Sequence, residues 1–316
     1  MVREGPDQEG DIMRVFVAGG TGVLGQRLLP LLVAGGHQVT ATTTSAAKLE
    51  LLTRLGVEGV VMDGLDAASV GEAVATARPD VIVNQMTGLS QAHAGKLNPR
   101  KAERFFAATN RLRTEGMDHL LAAAEAVGVG HVVAQSHGSF NGLRQGGWVK
   151  TEEDPLDVTE GTKALVHMEA VVVAAGGAVL RYGGFYGPGA NDEQVALVRK
   201  RLLPIIGGGT GYSSWVHLDD AAAATVLAVE QHATGVFNIV DDEPAPVSEW
   251  LPYLAQCAGA KPPRRLPAWL ARLLAGEMAV GMMVEGRGFS NAKAKRELGW
   301  RLRYPSWRQG FQEELA

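Results

Sequence analysis

The chain has 316 residues, 46% of them hydrophobic and 20% charged, so it can bury a substantial core and is not a disordered chain. A net charge of −4 gives no basic field for nucleic acid, and no basic run is interleaved with aromatics. The single cysteine, Cys257, excludes an intrachain disulfide and a cysteine-based metal site.

From residue 14 onward, short apolar runs alternate with helical patterns. RVFVAG (14–19) is a β-branched run entering a glycine turn, and LGQRLLPLLVAGG reads as a helix ended by glycines. HQVTATT (37–43) is a second strand and SAAKLELLTRLG (45–56) a second helix. VEGVVMD (57–63), DAASVGEAVATA (66–77) and PDVIVNQ (79–85) continue the alternation. A long helical stretch from about Pro99 to Val127 leads to the strand HVVAQS (131–136). The pattern predicts an α/β fold: a doubly wound parallel sheet with right-handed crossovers and helices on both faces.

Gly138 to Val158 is a long loop of glycine and charge around Trp148. Such loops are usually functional or mobile, and this one is expected to be a flap over the substrate. DVTEGTKALVHMEA (157–170) then starts like a helix, with Thr159 as its expected cap, and GGAVLRYGGFYGPG is a strand running into a glycine turn. Beyond residue 190 the pattern is less regular. Two units are expected: a main α/β domain over 13–190, and a smaller lobe over 191–316, part of which returns to the main sheet; the motifs below make the first dinucleotide-binding and the second mainly substrate-binding. The polar opening MVREGPDQEGDI lacks the apolar region of a signal peptide, and no apolar run is long enough to span a membrane. A cytoplasmic protein is expected, with a small-molecule substrate, no nucleic-acid or membrane partner, and a homodimer as an allowed assembly.

VFVAGGTGVLG places Gly19, Gly22 and Gly25 after a strand and at a helix start, with Thr21, Val23 and Leu24 between them. One glycine permits the tight turn, the next lets backbone N–H groups approach a pyrophosphate, and the third lets helix and strand pack closely. After the second strand, Thr43, Thr44, Ser45 and Lys48 offer hydroxyls and an ammonium with no carboxylate before Glu50. An acidic residue there would hold the adenosine ribose and repel a 2′-phosphate. The expected cofactor is therefore NADP, with NAD possible.

In order along the chain, GGTGVLG, Asp63 with Asp66, RYGGFYGPG and WVHLDD resemble the extended short-chain dehydrogenase/reductase family, which includes the NAD-dependent epimerase/dehydratases. The resemblance covers about residues 13 to 245. It implies a Rossmann-type sheet of about seven parallel strands, with substrate between the sheet and the C-terminal lobe. It also implies that Asp63 meets the adenine ring and that Gln85, Met86 and Thr87 pass along the cofactor.

The family's Tyr-x-x-x-Lys pair is missing. None of the five tyrosines has a lysine four residues later, and Thr159 stands four residues before Lys163. A threonine hydroxyl titrates far above a tyrosine and cannot replace it. The resemblance leaves Lys163 as the candidate contact to the nicotinamide ribose. The family's active-site serine falls on Ser136 or on His137, and His137 has the pKa suited to acid–base work. Tyr182, where a proline is customary, and Tyr186 are rival donors. His217 matches a position concerned with structure. Trp250, Trp269, Met278, Met282 and Met283 in the lobe would suit an apolar ligand, although helical spacing equally suits ordinary core. The expected function is an atypical NADP(H)-dependent oxidoreductase acting on a small or medium carbonyl-type substrate. The alternatives are a catalytically silent NADP-binding sensor like the NmrA-like regulators, or an epimerase or lyase.

Overall fold

The computed structural model describes residues 12–89, 102–138 and 144–316. Seven strands form one parallel sheet: β1 (Arg14–Ala18), β2 (Gln38–Thr43), β3 (Glu58–Val61), β4 (Val81–Asn84), β5 (His131–His137), β6 (Ala178–Tyr182) and β7 (Gly235–Ile239). Their order is β7-β6-β5-β4-β1-β2-β3. The chain enters mid-sheet at β1, builds outward to β3, and returns to β4 to build the other half. That reversal opens a crevice at the carboxyl ends of β1 and β4, where ligands bind in sheets of this kind.

Strand alternation feeds two cores. Val15 and Val17 of β1 point into one, with Leu28, Leu29 and Leu32 of helix α1 (Gly25–Ala34). Phe16 and Ala18 point to the opposite face. That second core takes residues from α3 (Ala67–Ala77), α5 (Met117–Val127) and α6 (Lys163–Ala174). The remaining helix of this half, α2 (Leu49–Arg54), lies between β2 and β3 in sequence. The long helix predicted from Pro99 begins, among the described residues, as α4 (Ala102–Arg111) and passes through a wide π turn at Leu112–Gly116 before α5. Widened turns of this type are frequent at functional sites.

The second half supplies α7 (Asp192–Arg199), α8 (Leu218–Glu230), α9 (Val247–Cys257), α10 (Ala268–Ala275), α11 (Glu277–Glu285), α12 (Ala292–Glu297) and α13 (Trp307–Leu315). β7 pairs with β6 and α8 packs against α1, so this stretch belongs to the sheet layer. The lobe has its own core of Trp215, Trp250, Leu251, Trp307 and Phe311.

The expected flap is held down over its described part. Val149–Lys150 pairs in parallel with Gly288–Phe289. Trp148 and Lys150 carbonyls accept from the Gly288 and Ser290 amides at 2.8 Å each, and Glu152 Oε1 accepts from the Asn238 amide at 2.7 Å. Residues 139–143 of that loop lie outside the described residues.

Candidate active site at the carboxyl ends of the strands

The glycine turn shows why each glycine is needed. Gly19 has φ +88, and a Cβ there would sit 2.8 Å from the Gln85 carbonyl, so β1 and β4 can cross closely only with glycine. A Cβ on Gly25 would lie 2.4 Å from the Gly20 carbonyl, which fixes α1 against the turn. Gly22 faces open space, its added Cβ meeting only the Gly19 carbonyl at 3.4 Å. No hydrogen bond among the described residues uses the N–H groups of Thr21, Val23 or Leu24. These groups crown the start of α1, whose partial positive charge suits a pyrophosphate. The cradle fits a dinucleotide.

The adenosine end is built from β2. Thr42, which the sequence reading did not single out, holds the turn through its hydroxyl, accepting from the Gly19 amide at 3.0 Å. The Thr43 hydroxyl lies 3.4 Å from that of Thr21 and accepts from the Ser45 amide at 3.3 Å. Thr44 and Lys48 are exposed beside it, and Lys48 has no ion-pair partner among the described residues. Asp63 is exposed and accepts from the Leu65 amide at 2.9 Å, which makes it a turn-former with one carboxylate oxygen to spare. Asp66 caps α3. Beyond β4, Gln85 is buried, the Met86 amide donates to Asn84 Oδ1 at 3.0 Å, and Thr87 is exposed.

The catalytic candidates fare differently. The Ser136 hydroxyl donates to Glu169 Oε1 at 2.5 Å, and Arg181 grips the same carboxylate through Nε and Nη2, the shortest bond being 2.6 Å. This Ser136–Glu169–Arg181 triplet is buried between β5, β6 and α6. His137 ends β5, where burial and then the charge of Arg113 push its pKa down to about 4. It is neutral at neutral pH. Arg113 is half-buried in the π turn. Burial lowers it to about 10 against the attraction of Glu169, and its guanidinium meets Asn110 Oδ1 at 3.4 Å. Neither Arg113 nor Glu169 carries a local sequence signal; only the fold brings them to the end of β5.

Three expectations are corrected. Tyr182 is 1% exposed, and its hydroxyl lies 2.6 Å from that of Thr225. Thr225 already donates to the Ala221 carbonyl, so the tyrosine is the donor and its proton is committed. Burial raises its pKa to about 12, and it is core. Lys163 points outward: its side chain is 62% exposed and pairs with Glu160 at 2.6 Å, while Leu165, Met168 and Glu169 form the inward face of α6. At 100° per residue Lys163 lies opposite the buried Leu165, and its ammonium is engaged by Glu160. Thr159 is not the helix cap. The N-cap is Thr162, whose hydroxyl donates to the Asp157 carbonyl at 2.8 Å and accepts from the Thr159 amide at 2.8 Å.

The other aromatic and imidazole candidates are structural. Tyr186 is buried and raised beyond the ordinary tyrosine range by burial and then by Asp241. The His217 ring accepts from the Asp219 amide as the cap of α8 and packs on Tyr304 at 4.0 Å. Trp250 and Met283 pack in the lobe, whereas Trp269 is 64% exposed.

Residues 15–240 match the model of the NAD dependent epimerase/dehydratase family. The chain is 43% identical over 315 residues to the 3-diazoavenalumate denitrifying reductase of a Streptomyces species, covering 96% of this chain and 100% of that protein. It is 30% identical over 271 residues to the 2-alkyl-3-oxoalkanoate reductase of Stenotrophomonas maltophilia, covering 78% and 76%. Among solved structures, the UDP-glucose 4-epimerase of Thermotoga maritima with UDP-glucose aligns at a TM-score of 0.76 and 22% identity, over 95% of this chain and 97% of that one. Human epimerase family protein SDR39U1 with NADPH aligns at 0.73 and 22%, over 95% and 98%.

Proposed function

The chain belongs to the NAD dependent epimerase/dehydratase family, within the extended short-chain dehydrogenases/reductases, and from that premise we propose that it is an NADPH-dependent reductase whose acceptor takes no proton from the protein. It is an oxidoreductase-type enzyme with a nicotinamide cofactor. One observation carries the finer reading: among the described residues, no candidate donor at the ends of β5, β6 and α6 is set to give up a proton near neutrality. Ser136 gives its proton to Glu169, Tyr182 gives its own to Thr225, His137 is neutral, and Lys163 faces solvent.

The bound nicotinamide supplies hydride. Reduction of a carbonyl by hydride needs a proton as well, R₂C=O giving R₂CHOH. Reductive loss of a diazonium group does not: hydride forms the C–H bond, the C–N bond breaks, and N₂ leaves with charges balanced. An acceptor of that class makes the missing tyrosine dispensable. The 43% identity to a denitrifying reductase of a diazo compound supports this reading. Gly19, Thr21, Gly22, Val23, Leu24 and Gly25 would hold the pyrophosphate. Thr43, Thr44, Ser45 and Lys48 would hold the 2′-phosphate, and Asp63 with Gln85, Met86 and Thr87 would line the path between adenine and nicotinamide.

A second reading has its own support. Arg113 beside His137 offers a cation to a developing alkoxide, with water as proton source, and the Stenotrophomonas relative is a reductase of oxoalkanoates. The test is turnover of NADPH with an aryl diazo acid and with a 2-alkyl-3-oxoalkanoate, while nitrogen release is followed by mass spectrometry. We expect NADPH loss matched one for one by N₂ from the diazo acid. Turnover of the oxoalkanoate alone would move the assignment to the carbonyl reading, and turnover of neither would sink the reductase reading.

A further inference from the structure

Arg287 is a buried guanidinium with no counter-ion among the described residues. It follows α11 directly and is 8% exposed. Nη1 donates to the Glu285 carbonyl at 2.6 Å and Nη2 to the Arg144 carbonyl, while Nε has no partner. The Trp148 indole lies over the guanidinium at 4.2 Å and stacks on Tyr212 at 5.5 Å with planes 25° apart. Among the described residues no carboxylate pairs with Arg287: Glu285 is taken by Arg144 at 3.2 Å, and Asp154 by the buried Lys150 at 3.4 Å. Both of these carboxylates are thus committed to other cations. A desolvated, uncompensated guanidinium is costly unless an anion arrives.

Its place in the fold says which anion. Arg287 leads into Gly288–Phe289, and the Phe289 ring lies 3.2 Å from where a Cβ on Gly138 would sit, immediately beyond His137. Two residues of strand span about 7 Å, which is the backbone separation of Arg287 from Phe289 at that contact. Trp148, 42% exposed, covers it on the solvent side. The cofactor's phosphates belong at the start of α1 and after β2, in the other half of the sheet.

We propose that Arg287 receives a carboxylate at the far end of the substrate, beneath Trp148, so that the enzyme acts on acids whose reacting group and carboxylate are well separated. The proposal rests on the reading that reduction takes place at the carboxyl ends of β5 and β6. It favours an extended aryl acid over a 3-oxoalkanoate, in which the two groups are only two bonds apart. A carboxylate on the Nε edge would supply the missing acceptor and the missing charge together.

The test uses the full chain saturated with NADP⁺, titrated with cinnamate and with cinnamamide, which share a shape and differ in charge. Calorimetry should show cinnamate binding at least about tenfold more tightly, as expected for a charge-assisted hydrogen bond. Fluorine NMR of fluorotryptophan-labelled protein should show the Trp148 resonance, assigned by its loss in Trp148→Phe, moving with cinnamate. Arg287→Met should equalise acid and amide and leave NADP⁺ affinity within about twofold. If that variant does not fold, the wild-type comparison and the Trp148 signal still decide. Equal binding of the two probes, binding of neither, an unmoved Trp148 signal, or an acid preference that survives Arg287→Met would each overturn the proposal and leave Arg287 as a clamp between loop and lobe. A protein that prefers cinnamate through Arg287 yet releases no N₂ from a diazo acid loses the denitrifying reading and keeps this one.

Discussion

Thr159 and Thr162 divide between them what the sequence assigned to one residue. Thr159 is exposed, and its hydroxyl has a single contact, 3.2 Å from that of Thr162. Thr159→Val should leave turnover unchanged and cost under about 1 kcal/mol. Thr162→Val strips a buried hydroxyl of bonds to the Asp157 carbonyl and the Thr159 amide. It should cost about 1–3 kcal/mol in chemical denaturation. Loss of turnover in folded Thr159→Val would mean that the threonine is chemical after all. At the other end of the crevice, Thr44→Asp places a carboxylate beside the proposed 2′-phosphate. One like-charge contact near the surface is worth at least about 1.4 kcal/mol, so NADPH affinity should fall by about tenfold or more while NADH affinity holds. Parallel calorimetric titrations measure both, and equal losses would show that this turn does not read the phosphate.

At the scale of elements, two contacts tie the sheet to what covers it. Glu169 joins α6 to β5 and β6 through Ser136 and Arg181. Glu169→Leu would strand the Arg181 guanidinium and should cost about 3–5 kcal/mol by thermal or denaturant unfolding. A smaller loss would mean that water reaches the arginine. The second contact is the loop after β5. Its Glu152 covers the amide of Asn238 on the edge strand β7, and Trp148 and Lys150 pair with the strand after α11. The amides of Asn238, Gly288 and Ser290 should therefore exchange slowly without ligand, and Glu152→Ala should expose Asn238 selectively. Fast exchange at all three in the ligand-free protein would restore the free flap expected from the loop's composition.

For the molecule as a whole, buried titratable groups set the pH response in opposite senses. Burial, and then the neighbouring His232, lower the pKa of His131, and burial and then Arg113 lower that of His137. Both stay neutral in the fold while the unfolded chain takes up protons below about pH 6.5. Their contribution to stability is thus present above that pH and is lost as pH falls through the lower folded values. Asp241 is held well above its ordinary value by burial, opposed by the Glu243 amide. Its ionisation costs stability as pH rises from its unfolded value of about 3.8 through its raised folded one. Asp241→Asn should therefore raise the unfolding free energy at neutral pH by at least about 1 kcal/mol, read as a higher melting temperature, and the gain should shrink toward pH 4. A gain that is constant with pH would show that packing, not ionisation, is at work.

The chain order of strands and helices, the glycine turn and the absence of Tyr-x-x-x-Lys were legible because each is written in residues adjacent in sequence. Gly19, Gly22 and Gly25 serve one turn, and their spacing alone states the local backbone requirement. What the side chains near the reaction site do was not legible, because it depends on which face of an element they occupy and what lies opposite. A shift of two residues along α6 separates the outward Lys163 from the inward Leu165. Burial, invisible in a one-dimensional pattern, turned Tyr182 from a donor into core and His137 into a neutral ring. Glu169 with Ser136 and Arg181, and Arg287 beneath Trp148, are pairings across long stretches of chain, and desolvation gives them their weight. Local sequence dictates backbone geometry; only tertiary contact decides which charges are compensated and which protons are free.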